Sequence, residues 1–272
     1  MIRSKKHTVI CVRQPNGEIL TKTEEIKSLS EKYRILKIPF LRGILALFET
    51  MYLGIKGLYF SANVSLEEEG EKIETKEMAI AFILAIALSI FLFSISPFFL
   101  ATLLKFKGVV FNVVEGIIRI SIFLLYLVVM TFIGEFRRVF QYHGAEHIAI
   151  NTHEAGVELS VANAKDYSRL HPRCGTSFLF IVLLISILLF SLLPRQDFAT
   201  RLSYRIILIP VISSISYEIL KISDRYKNST IMKILTIPGL GLQHLTTKKP
   251  DEDMIAVALK AVQEASKLSK KH

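Results

Sequence analysis

The sequence predicts an all-α polytopic membrane protein, with about four transmembrane helices plus an interfacial helix and a small N-terminal β-hairpin. Three observations carry this. The 272-residue chain is 51% hydrophobic, and its mean hydropathy of +0.43 is well above that of an ordinary soluble domain. It holds several apolar runs on the scale of the roughly 20 residues needed to cross a bilayer. Basic residues gather at the ends of those runs, as the positive-inside rule requires of cytoplasmic flanks.

Residues 1–37 make the first unit. Thr8-Val9-Ile10-Cys11-Val12-Arg13 reads as a strand, and Pro15-Asn16-Gly17 as a turn before Glu18-Ile19-Leu20, which together give a hairpin. The first 35 residues are polar and lack a short apolar core, so no secretory signal peptide is expected. Residues 38–60 form a glycine-punctuated apolar helix in which Arg42, Glu49 and Lys56 fall seven apart. That spacing draws one charged stripe down an apolar cylinder. The stripe suits a helix lying in the membrane interface, or one packed on a polar seam of the bundle. The interfacial reading is favoured, because a lone Glu at mid-span would be costly; a spanning helix would move the N-terminus to the other side. Residues 61–77 are acidic and poor in apolar residues, and read as a loop.

Residues 78–249 are the membrane domain. Its predicted spans are 78–102, free of charge; 108–134, interrupted by Glu115 and Arg119; 176–193, the most uniformly apolar; and 202–220, with Arg205 near one end and Glu218 near the other. Ile231 to Leu245 is a shorter apolar segment. Its Pro238-Gly239-Leu240-Gly241 is expected to be a turn; no strand precedes it and no Lys-Ser/Thr follows, so it is no phosphate loop. From Pro250 to residue 272 an acidic start and a Lys-rich end mark a cytoplasmic amphipathic helix with a basic tail.

The net charge of +10 does not point to nucleic acid. Arg137 and Arg138 follow the second span, Lys221, Arg225 and Lys227 follow the fourth, and both termini are Lys-rich. This pattern places both termini and the loop 135–175 in the cytoplasm, with the bilayer and its anionic headgroups as the partner. Lys105 and Lys107, on the first outer loop, go mildly against the rule. Cys11 and Cys174 both fall on the cytoplasmic side, which argues against a disulfide. Cys174 is then a thiolate ligand or a buried apolar filler.

The densest chemistry lies in that loop, at His143-Gly144-Ala145-Glu146-His147, followed by His171-Pro172-Arg173-Cys174. Two imidazoles four residues apart share one face of a helix and can reach one divalent metal, zinc first among candidates. Glu146 points about 60° away, near enough to act on a water that the metal activates. H-x-x-E-H is the inverted form of a zinc-protease motif. Taking 135–155 as one helix ended by Gly156, Glu154 lies on nearly the same face as His147 but about 10 Å along the axis from it, and shares its metal only if the helix breaks near Asn151. His153 points elsewhere. His171 and Cys174, brought back by the loop 157–170, are the better third and fourth ligands.

Longer stretches carry a resemblance. Arg137-Arg-Val-Phe-Gln-Tyr-His-Gly-Ala-Glu-His147 and Tyr167-Ser-Arg-Leu-His-Pro-Arg-Cys-Gly-Thr-Ser177 resemble the YqhQ-like family of bacterial membrane proteins. Pro39-Phe-Leu-Arg-Gly43, Ser61-Ala-Asn-Val64, Glu115-Gly-Ile-Ile-Arg119, Ile215-Ser-Tyr-Glu218 and Pro238-Gly-Leu-Gly-Leu-Gln243 fit the same pattern, so the resemblance covers nearly the whole chain. It implies a bacterial cytoplasmic-membrane location. The family is a domain of unknown function, sometimes labelled a predicted metal-dependent enzyme, which implies a metal at the His cluster and names no reaction. Relatives usually begin with a Gly-rich segment; this chain opens at Met1-Ile2-Arg3-Ser4, as though that segment were missing.

Several readings follow. If His143, His147 and His171 bind metal and water takes the fourth place, the site is open and Glu146 is its general base. If Cys174 closes the shell, the site is structural; without metal, the motif is a satisfied polar face. The open site makes the protein a metal-dependent hydrolase acting on a peptide or a lipid-linked substrate. The charges within the spans offer a rival. Glu115 and Arg119 form an i, i+4 pair, while Arg205 snorkels to the boundary in the structural reading; in the functional one they line a polar path or a headgroup pocket. A transporter or channel, or a scaffold without chemistry, would then be the alternative. Oligomeric state is not encoded legibly.

Overall fold

Strand β1 (Ile2–Arg3) pairs antiparallel with β2 (His7–Arg13), which pairs antiparallel with β3 (Ile19–Glu25) in the register His7↔Glu25 to Arg13↔Ile19. The expected hairpin thus gains a third, short strand. In the computed structural model, residues 1–4, 6–26, 28–66, 75–172, 174–193, 197–226 and 229–270 are described. Of the expected acidic loop 61–77, residues 67–74 lie outside the described residues, as do Arg173 and Lys227; the flanking 61–66 and 75–77 are not loop but the end and the start of two helices.

Eleven helices follow among the described residues: α1 (Leu29–Lys32), α2 (Leu41–Leu66), α3 (Thr75–Ile90), α4 (Ser96–Leu103), α5 (Gly108–Met130), α6 (Gly134–Glu154), α7 (Val161–Ala164), α8 (Gly175–Ser191), α9 (Phe198–Arg225), α10 (Thr230–Thr246) and α11 (Glu252–Lys270). A π-helical turn, Phe91–Ile95, joins α3 to α4 just ahead of Pro97. Proline lacks an N–H and its ring crowds the preceding turn, so the ladder widens there. Among the described residues, four helical stretches are long and apolar enough to cross a membrane: Leu41–Ser65, Lys76–Leu103, Gly108–Met130 and Phe198–Ser223. Helix α8 is equally apolar but only 17 residues long.

Helix α2 is longer than its predicted 38–60, and its charged stripe faces protein. Arg42 Nε donates to Glu218 Oε1 of α9 at 2.7 Å, Arg3 Nη2 to Glu49 Oε2 at 3.0 Å, and Lys56 Nζ lies 2.6 Å from Glu24 Oε2 of β3. Side chains two apart on β2 share a face, so Ile10 and Val12 pack together on Val64 and Phe60 of α2. The same strand packs against α11.

The largest buried cluster joins Ala145, Ile148 and Ala149 of α6 to Met254, Ile255, Ala258, Leu259 and Val262 of α11. The amphipathic helix expected from Pro250 onward therefore clamps α6 from behind. One expectation is corrected: Pro238 and Gly241 do not make a turn but lie within the unbroken helix α10. Packing of α10 on α8 and burial of Leu242 and Gln243 hold it helical despite the weak intrinsic propensity.

Candidate metal centre

Helix α6 puts His143 and His147 on one face, with ring centroids 4.4 Å apart. Each ring is oriented by a backbone carbonyl. His143 Nδ1 lies 2.8 Å from the Thr246 carbonyl oxygen, and His147 Nδ1 lies 2.7 Å from that of Arg169. A carbonyl only accepts, so both Nδ1 atoms carry a hydrogen and both Nε2 atoms are left for a third party, as donors to a thiolate when protonated and as lone pairs for a metal when not.

The sequence supplies these carbonyls through close backbone contacts. A Cβ on Gly144 would come within 2.3 Å of the Lys248 carbonyl oxygen, so only glycine admits the strand of chain that leaves α10. Lys248 N–H then donates to the Phe140 carbonyl at 2.9 Å, which sets Thr246 against His143. On the other side, Asn151 Nδ2 donates to the carbonyls of Ser168 at 2.7 Å and Leu170 at 3.1 Å, presenting Arg169 to His147. Gln243, fully buried, donates to the His171 carbonyl and accepts from its N–H, both at 2.8 Å.

Cys174 is the N-cap of α8. Its Sγ accepts from Thr176 N–H at 3.4 Å and from Thr176 Oγ1 at 3.3 Å, and lies 3.1 Å from His143 Nε2. Burial pushes the thiol pKa up, but hydrogen bonds from His143 and His147 overcome this and bring it down to about 5. A thiolate at a helix N-terminus is also favoured by the helix dipole. Burial opposes charge on His143 too, yet the Cys174 sulfur and the Thr246 carbonyl raise its pKa above the ordinary imidazole value.

One donor atom each from His143, His147 and Cys174 falls within 4.8 Å of the other two. A tetrahedral zinc with Zn–S near 2.3 Å and Zn–N near 2.0–2.1 Å holds S and N about 3.5 Å apart. The observed 3.1 Å needs only a small side-chain adjustment. Two nitrogen donors in the right tautomer and one thiolate fit a divalent, zinc-like ion.

The other expected residues stand around this group. His171 is buried with its ring centroid 5.9 Å from that of His147, and its Nε2 is 3.5 Å from Glu154 Oε1. Helix α6 runs through Asn151 without a break, so Glu154 meets His171 rather than the two helix histidines. Glu146 is partly exposed, with its carboxylate 3.8 Å from the Met1 amino group. His153 faces out, 3.4 Å from Ser266 Oγ. Cys11 is free, as is Cys174, in keeping with the expected absence of a disulfide. Sequence reasoning missed Gln243, Arg169 and Thr246; the mid-helix Gly144 was the one local sign of a close backbone approach.

The charges within the spans form a second group. Glu115 Oε1 accepts from Arg119 Nη2 at 2.9 Å and from Arg205 Nη2, while Oε2 accepts from Arg201 Nη1 at 2.7 Å. All four side chains are buried. The expected i, i+4 pair is present, but snorkelling of Arg205 is corrected: it points inward and also donates to the Ser94 carbonyl of the π turn at 3.0 Å. Glu218 is apart, paired with Arg42.

Residues 38–268 match the profile of a family described as a protein of unknown function (DUF1385). The chain is 32% identical to the uncharacterized protein YqhQ of Bacillus subtilis (strain 168) over 292 residues, which cover 98% of this chain and 89% of that protein. No solved structure matches.

Proposed function

Given that the chain belongs to the DUF1385 family of proteins of unknown function, we propose from its own geometry that it is a metal-dependent membrane hydrolase. The supporting observation is the convergence of His143, His147 and Cys174, with both Nδ1 atoms already tied to carbonyls. These three would hold the ion, leaving a fourth position for water or substrate. The ion supplies Lewis-acid polarisation when bound. Glu146, one residue before His147 on α6, is the proposed proton acceptor. His171, held by Glu154, packs beside His147 and fixes the wall of the site on that side.

The substrate class follows from the cap. Cys174 begins α8, whose 17 residues are apolar apart from small hydroxyl residues, so the centre sits where an apolar layer ends. A peptide bond in or near the membrane, or a lipid-linked ester, reaches such a site. The proposed crossings are α3–α4, α5, α8 and α9, in a bacterial cytoplasmic membrane. An even number puts both termini on one side, a reading supported by the packing of β2 on α11. The sheet covers the second half of α2, which favours the interfacial reading for that helix.

The test compares metal-loaded wild type with Glu146→Gln in proteoliposomes, using a panel of fluorogenic peptides and phospholipid esters. Wild type is expected to release product, and the variant to lose about 100-fold or more with its metal content unchanged. Equal rates would overturn the base assignment, and no turnover by wild type would overturn the hydrolase. Transport is the second reading, favoured by the buried Glu115 group. It predicts that Glu115→Gln abolishes function while Glu146→Gln is harmless.

A further inference from the structure

The Glu115 group has features that ion pairing does not explain. Three guanidiniums, those of Arg119, Arg201 and Arg205, converge on a single carboxylate at membrane depth. Arg201 Nη2 also donates to Asn112 Oδ1, and together the three guanidiniums make a densely positive surface at that depth. The Nε atoms of Arg119 and Arg205 are buried and have no hydrogen-bond partner among the described residues.

The group also borders open space. A cavity of about 750 Å³ is lined by Arg201, Lys105 and Lys107, with Phe98, Phe111 and one carboxylate, Asp197. Arg201 Cζ sits 5.6 Å from the Phe98 ring and 4.9 Å from that of Phe111, so the two rings fix the guanidinium in the cavity wall. The polypeptide reverses there through Lys105 and Gly108, at φ of 57° and 60°. These are the two lysines that go against the positive-inside rule, and an anion in this cavity would account for them.

The site is distinct from the metal centre. Arg119 and Arg205 both stand against Phe190, with Cζ 5.4 Å and 5.6 Å from its ring, near the C-terminal end of α8. Cys174 caps the other end of that helix. Sixteen residues at 1.5 Å separate them by about 24 Å, most of a hydrocarbon layer.

We propose that this cavity binds a phosphate-type anion, with Arg201, Lys105 and Lys107 as its direct contacts and Arg119 and Arg205 as the positive base behind them. The inference uses the membrane topology proposed above and is independent of the metal and of hydrolysis. Two sources share the chemistry: an anionic phospholipid headgroup, or a free phosphate.

The experiment is native mass spectrometry on the full chain in detergent, titrated separately with short-chain phosphatidylglycerol, short-chain phosphatidylcholine and inorganic phosphate. Wild type is expected to retain phosphatidylglycerol over phosphatidylcholine. Phosphatidylglycerol without phosphate assigns the site to a lipid headgroup; binding of phosphate as well assigns it to a soluble anion. Lys105→Gln/Lys107→Gln, two surface changes that leave the fold intact, is expected to weaken binding about tenfold or more, each lysine near an anionic surface counting for about fivefold. Arg201→Gln should weaken it further. No binding of either anion, or equal binding by wild type and the double lysine variant, would overturn the proposal.

Discussion

His143 Nε2 lies 3.1 Å from Cys174 Sγ, joining the middle of α6 to the cap of α8. The contact ties a polar helix to the start of an apolar one. It also does electrostatic work, because the sulfur draws the imidazole toward its charged form while the imidazole holds the sulfur as thiolate. Both are the states that a metal either uses directly or displaces a proton from.

In the metal-free protein with Cys11→Ser, ultraviolet thiolate absorbance should therefore titrate near pH 5. The sign is fixed by the partner: thiolate persists above that pH and is lost below it. His143→Ala removes the principal donor and should move the midpoint up toward the ordinary thiol value of about 8.5. An unchanged midpoint would show that the pair is not coupled.

Gly144→Ala should be disruptive out of proportion to one methyl group. Its Cβ would meet a backbone carbonyl at 2.3 Å, which cannot rotate away as a side chain could. A loss of about 1–3 kcal/mol is expected, together with weaker metal binding, since Thr246 would be pushed off His143. Thermal melts and metal titration of the same variant check both.

Gln243→Leu keeps the volume but takes the side-chain acceptor from the buried His171 N–H and leaves the His171 carbonyl with the Cys174 N–H, 3.3 Å away. About 1–3 kcal/mol of stability should go, and metal affinity should fall about tenfold through the loosened loop. Hydrogen exchange should rise at residues 168–172 and stay unchanged in α11.

Glu115→Gln removes the one carboxylate that three arginines share. Leaving buried guanidiniums facing a neutral amide should cost about 3–5 kcal/mol, measured by unfolding in detergent. A change below about 1 kcal/mol would mean that water or lipid already solvates the group.

The sequence made some of this legible and hid the rest for physical reasons. Helical spacing alone placed His143 and His147 together, and the apolar runs announced the long helices. Cys174 was legible as a candidate because it stood next to the returning His171. The carbonyls of Thr246 and Arg169 were not, since every residue has one and only the tertiary approach selects which is used. Arg201 escaped because it sits one position before the predicted span 202–220, although its i, i+4 spacing to Arg205 was a sign. Pro238 and Gly241 pointed to a turn by propensity, and packing on α8 overrode them.

Whether His143, His147 and Cys174 hold a metal is decided by metal content, measured by mass spectrometry on protein purified in detergent without chelators. Wild type is compared with His143→Ala/His147→Ala and with Cys174→Ser. About one zinc-like divalent ion per chain is expected in wild type, lost in the double histidine variant and reduced in Cys174→Ser. Metal absent from wild type, or retained at the same level without the two histidines, would contradict this assignment.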